Sequence, residues 1–200
     1  MQVSAVQASS PLEPFVPVFD ARERFQVAVD APAALVYETA TTFDMQSVGL
    51  VRAIFRLREI ALGARGGGAR VPRGWLEEAA ALGWGTLAEV PGRLFVAGAH
   101  CQPWLPDVCF VPIAPAAFRG YSEPGQVKIA WTLEVVPLAA SRSLLATETR
   151  VVATDPAARE RFLRYWRWAR FGIVPIRWLL LPAIAREANR RASRSSTRAA

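Results

Sequence analysis

The chain has 200 residues, of which 52% are hydrophobic, 10% aromatic and 20% charged, with a formal net charge of +7. That composition supplies one domain with a sizeable core and excludes a chain that is disordered throughout. Two cysteines and one histidine exclude a zinc-finger array, an iron–sulfur cluster, a disulfide-stapled scaffold and a His-rich metal centre, and no cofactor is implied.

The charge is unevenly spread. Residues 156–200 hold eleven arginines against Glu160 and Glu187, a surplus of nine, which leaves the first 155 residues at −2. A solvated helix face followed by a basic tail accounts for this. Weak contact of the Arg-rich C-terminus with an anionic membrane is the alternative, and nucleic acid ranks last because no aromatic-interleaved sheet face of the RNA-binding type is visible.

Residues 1–19 carry Ser9, Ser10, Pro11, Pro14 and Pro17. They have neither a basic start nor the apolar run of about 7–15 residues found in a signal peptide, so they read as an extended arm and the expected location is cytoplasmic. Arg22–Val29 then alternates, with Phe25, Val27 and Val29 on one face, and predicts a half-buried strand. Asp30 is placed to cap a helix whose apolar side is Leu35, Val36, Thr39, Ala40 and Phe43. A second helix is predicted over Met45–Leu62.

The stretch 63–74, GARGGGARVPRG, is a connector, because no Lys-Ser/Thr follows the glycines and no strand directly precedes them. Trp75–Leu82 predicts a short helix with Glu77 and Glu78 exposed. Short strands follow at Trp84–Val90, Arg93–Gln102 and Val108–Ile113, which makes Cys101 and Cys109 buried, reduced thiols. Ala114–Arg119 reads as one helical turn, and Glu123-Pro124-Gly125 turns the chain into the next strand.

That strand, Gln126–Val136, puts Val127, Ile129, Trp131, Leu133 and Val135 on one face and Lys128, Thr132 and Glu134 on the other. Its hairpin partner is Ser143–Thr154. Opposing odd residues to odd ones sets Leu145, Thr147, Thr149 and Val151 beside the apolar row, with Glu148 and Arg150 outside as an exposed pair worth little. Thr154 or Asp155, followed by Pro156, opens a long helix. Phe162, Tyr165, Trp166 and Ala169 form its apolar stripe, Gly172 and Pro175 kink or break it, and Ile176–Ala188 continues it. Phe171–Ala185 is apolar, but its fifteen residues include Pro175, Arg177 and Pro182. A spanning helix needs roughly 20 apolar residues, so this segment reads as packed or interfacial.

The order strand, two helices, antiparallel strands, long C-terminal helix resembles the helix-grip fold of the START-like superfamily, in its uncharacterised bacterial branch. That superfamily includes lipid-transfer domains and polyketide cyclases. The resemblance is carried by Phe25–Pro32, by Glu123–Trp131, by Thr147-Glu148-Thr149-Arg150-Val151, and by Asp155–Arg159 with Tyr165-Trp166. It implies an α+β fold in which a curved antiparallel sheet wraps the C-terminal helix, with two short helices after the first strand and an apolar cavity between sheet and helix. The domain then spans residues 20–188, between the arm at 1–19 and a basic disordered tail at 189–200.

Within such a cavity Trp131, Thr147, Thr149, Phe162, Tyr165 and Trp166 are the candidate ligand-binding residues. The aromatics supply apolar burial, worth about 25 cal/mol per Å², and the hydroxyls supply orientation. His100 is the candidate general base for a cyclase- or aromatase-like reaction, although strand alternation sets it opposite Phe95, Ala97, Ala99 and Cys101. Three readings follow: a binder of an apolar or amphipathic small molecule or lipid, a polyketide cyclase-like enzyme, and a peripheral membrane protein using the basic, aromatic C-terminal helix. No metal site is implied.

Overall fold

A computed structural model describes residues 10–44 and 74–199. The helix expected over Met45–Leu62 and the connector at 63–73 lie outside the described residues. Five strands form one antiparallel sheet: β1 (Ala21–Val29), β2 (Gly85–Val90), β3 (Leu94–Cys101), β4 (Val127–Ala139) and β5 (Arg142–Ala153), in the spatial order β1-β5-β4-β3-β2. The helices are α1 (Ala33–Thr42), α2 (Trp75–Ala81), α3 (Pro115–Phe118) and α4 (Pro156–Ala199). This is the α+β arrangement implied by the order of elements, with the C-terminal helix lying on an open antiparallel sheet.

The β4–β5 hairpin takes the odd-to-odd register, with Ile129 opposite Val151, Trp131 opposite Thr149 and Val135 opposite Leu145. Both strands extend further than expected, to Ala139 and from Arg142, with a bulge between Pro137 and Ala139. The segment 108–113 is not a strand. It contributes only the bridge between His100 and Val111, and Cys109 is consequently exposed while Cys101 is buried.

Helix starts differ in chemistry from the simplest expectation. Asp30 does not cap α1, whose first residue follows Pro32, and pairs instead with Arg142 at 3.6 Å on the surface. Asp155 caps α4, accepting the Ala158 amide at 2.8 Å through Oδ1 and the Gly125 amide through Oδ2. Gly125 has φ 79°, a conformation that glycine adopts without steric cost. The Glu123-Pro124-Gly125 turn is thereby tied to the start of the long helix. In α2, Glu78 is buried rather than exposed, at 7% exposure.

α4 runs to Ala199, past Asn189, where composition predicted the ordered chain to end. Its halves, Pro156–Phe171 and Pro175–Ser195, meet at 49°. Pro175 lies at that bend, where a proline ring removes one helical hydrogen bond and displaces the preceding turn. No single helix among the described residues is long and apolar enough to cross a membrane, although the bent pair together reaches that length and hydropathy.

Both faces of the sheet are covered. On one lie α1, α2 and the second half of α4, which bring Val36, Ala40, Trp75, Leu180, Leu181 and Ile184 against Trp131, Leu133, Val135 and Leu145. The other is covered by residues 10–19 and α3, where Leu12 and Val16 pack with Val96, Ala130 and Phe118. Gly98 makes room for this second layer, since a Cβ there would meet Leu87 and Phe118 carbons at 2.5 Å.

Candidate functional site

The first turns of α4 set Phe162 against Val127, Val151 and Cys101, with Trp166 stacked on it at 5.9 Å. Its later turns set Leu180, Leu181 and Ile184 into the main core. Along its second half α4 passes the edge strand β1 and leaves an open slot of about 260 Å³, lined by Phe25, Gln26 and Val27 of β1 and Arg177, Trp178, Leu181 and Pro182 of α4. Phe25 and Trp178 meet edge-to-face at 6.4 Å.

One cation stands in this apolar lining. Arg177 donates through Nη2 to the Thr149 hydroxyl, while its Nη1 is buried and has no hydrogen-bond partner among the described residues. Burial lowers its pKa to about 10, against the opposing effect of the Glu23 charge, so the guanidinium is still cationic at neutral pH. Thr147, opposite Phe25 in the ladder, also buries its Oγ1 without a partner. A buried N–H or hydroxyl without a partner costs about 1–3 kcal/mol. The helix-covered face therefore carries unmet hydrogen-bonding capacity within an apolar surround.

The opposite face differs in this respect. Glu148, 3% exposed, accepts from Arg22 at 3.0 Å and from Arg150 at 2.8 Å, and Arg150 also reaches Glu13 and the Val16 carbonyl at 2.8 Å. Burial alone would raise the Glu148 pKa, but the hydrogen bonds and charges of Arg150 and Arg22 outweigh it and hold the carboxyl below its usual value. Lys128 donates to the Phe118 and Arg119 carbonyls at 3.2 and 2.8 Å. Glu148 and Arg150 are thus on the predicted face, but they are a buried network rather than a weak exposed pair, because residues 10–19 cover them.

The six expected ligand residues do not form one site. Trp131 sits in an aromatic nest with Trp75, Trp84 and Phe95, at centroid distances of 5.7, 6.0 and 5.8 Å. Phe162, Tyr165 and Trp166 belong to a separate cluster at the start of α4. Thr149 reaches the slot by accepting from Arg177. His100 lies on the arm-covered side, stacked on Tyr121 at 4.6 Å with Nδ1 3.3 Å from Gln126 Oε1. Its side chain does not share the face that carries the slot. Among the described residues no three His, Cys, Asp or Glu side chains are grouped to hold a metal ion.

Arg177, Phe25 and Trp178 were absent from the expected set. The available signal was Arg177 itself, one charge inside the apolar run Phe171–Ala185. A second, wider groove of about 680 Å³ lies between the end of α1 and the last turns of α4. Two of its arginines, Arg190 and Arg191, are already paired with Glu187.

No family model matches the chain, and no curated protein matches it. Among solved structures it is similar to the Zhui aromatase/cyclase from Streptomyces sp. R1128, at 16% identity over 86% of this chain and 94% of that one, with a TM-score of 0.28. It is also similar to the di-domain ARO/CYC protein BexL of the BE-7585A biosynthetic pathway, at 15% identity over 80% of this chain and 46% of that one, with a TM-score of 0.26. At these scores the likeness fixes no residue correspondence and assigns no activity.

Proposed function

We propose that this chain, as a START-like protein, binds an amphipathic small molecule whose acidic head meets Arg177 and whose apolar part occupies the slot between β1 and α4. The observation that supports this reading is the buried Nη1 of Arg177, which has no hydrogen-bond partner among the described residues, on a residue that lines the slot together with Phe25, Val27, Trp178 and Leu181. A guanidinium with a free donor suits a carboxylate or phosphate oxygen, and charge-assisted bonds of this kind are about twice as strong as neutral ones. A cyclase-like reaction would need an acid–base group facing the slot, and His100 is not there.

Titration with a fluorescent long-chain carboxylic acid tests the reading, with the alcohol of equal length as the comparison. Saturable uptake of the acid, at least tenfold tighter than the alcohol, is expected. Arg177→Met should remove the difference between acid and alcohol. Equal affinity for the two probes, or no saturable uptake of either, would overturn the reading.

A further inference from the structure

α4 carries a second feature that neither the core nor the slot explains. Trp168, Phe171 and Trp178 are 76%, 69% and 68% exposed. Arg164, Trp168 and Phe171 recur at i, i+4 and i+7, which puts them on one side of the first half of α4, away from Phe162, while Trp178 lies beyond the bend. Trp168 and Phe171 form an exposed aromatic ridge about one turn long. Arg161, Arg164, Arg167 and Arg170 flank it and are exposed. Arg164 pairs with Glu160, Arg170 lies over the Phe171 ring at 5.1 Å, and Arg167 has no ion-pair partner among the described residues.

We propose that this ridge docks on an anionic lipid bilayer, with the aromatic rings at the acyl boundary and the guanidinium groups at the level of the lipid phosphates. Exposed large aromatics are costly in water, and rings beside arginines suit the interface, where one end of a side chain is apolar and the other wet. The surplus of nine positive charges in residues 156–200, against −2 in the rest of the chain, complements an anionic leaflet. A second copy is a poorer occupant, because a two-fold contact over this ridge would oppose arginines to arginines. A nucleic acid duplex would use the charges but keeps its bases stacked away from the exposed rings.

Co-sedimentation of the full chain with phosphatidylcholine vesicles, with and without about a third phosphatidylserine, tests the proposal. Binding is expected to the anionic vesicles and to fall steeply with added salt. Trp168→Ala with Phe171→Ala should weaken it at least tenfold, and Arg164→Gln with Arg167→Gln about tenfold. These four side chains do not line the slot, so uptake of the acid probe from solution should persist in both variants, which separates failure of this proposal from failure of the slot reading. The proposal is overturned if the Trp168/Phe171 variant binds vesicles like the parent. It is also overturned if the ridge proves to mediate a concentration-dependent dimer without vesicle binding, or if an oligonucleotide displaces the protein from vesicles and its binding ignores the ring substitutions.

Discussion

The two faces of the sheet treat polar groups in opposite ways. Under the arm, Glu148, Arg150, Arg22 and Thr132 are joined by hydrogen bonds, the Glu148 amide itself donating to the Thr132 hydroxyl at 3.0 Å, and Lys128 donates separately to the Phe118 and Arg119 carbonyls. On the helix-covered face, Thr147 Oγ1, Tyr37 Oη and Arg177 Nη1 are buried without hydrogen-bond partners among the described residues. A satisfied network contributes to holding the layers in one arrangement, whereas Arg177, which lines the slot, keeps a donor that a group from outside can use. The first face is structural in its chemistry, and the second has the character of a binding surface.

The largest test of that contrast removes the centre of the satisfied network. Glu148→Gln removes the buried carboxylate shared by Arg150 and Arg22 and leaves Arg150 only the half-exposed Glu13, at a cost of about 3 kcal/mol. Urea denaturation should show the loss without a change in slot affinity for the acid probe. The same carboxylate sets an acid dependence. Its folded-state pKa is depressed below 4.5, so its stabilisation is complete above the unfolded value and is lost as pH falls through the folded one. Melting of the parent should decline below about pH 4.5, and the Glu148→Gln variant should decline less.

Arg177→Met gives the reverse result on the other face. Here removal of a cation with an unmet donor should leave the unliganded protein as stable as the parent or more stable, while discrimination between acid and alcohol probes falls at least tenfold. A clear loss of stability would place Arg177 among the structural charges and end the contrast. Thr147→Val should raise stability by about 1 kcal/mol, because it deletes a buried hydroxyl with no partner and keeps the branched shape. Smallest is Glu13→Ala. Glu13 is half exposed at 52% and its bond is one of several to Arg150, so the expected cost is about 1 kcal/mol or less.

Much of the sheet was legible in the sequence. Alternation in Gln126–Val136 and Ser143–Thr154 set which side chains share a face, because strand geometry allows only two, and the odd-to-odd register followed. Asp155-Pro156 marked the start of α4 for an equally local reason. The same alternation misled about environment. Glu148 and Arg150 read as solvent-facing because charge normally stays in water, but they are covered by the arm of Glu13 and Val16, more than a hundred residues away in the chain, and Lys128 is taken up by the Phe118 and Arg119 carbonyls.

The site was less legible still. Six residues were expected to surround one cavity, yet Trp131 and the Phe162–Trp166 group fill separate parts of the core. Periodicity reports which side of a helix is apolar. It does not report where along that side the helix parts from the sheet, which here depends on the bend at Pro175 and the line of β1.

By itself, then, the sequence determined the order of the described helices and of the five sheet strands and the two-sided character of each strand, since these rest on contacts within a few residues, but not that 108–113 stays out of the sheet. It also determined the gathering of positive charge on the last helix. Tertiary structure decided which polar residues find partners and which remain unpaired, where α4 leaves a slot beside β1, and that Trp168, Phe171 and Trp178 stay uncovered. Those outcomes depend on side chains far apart in the chain competing for the same space, and no local pattern encodes them.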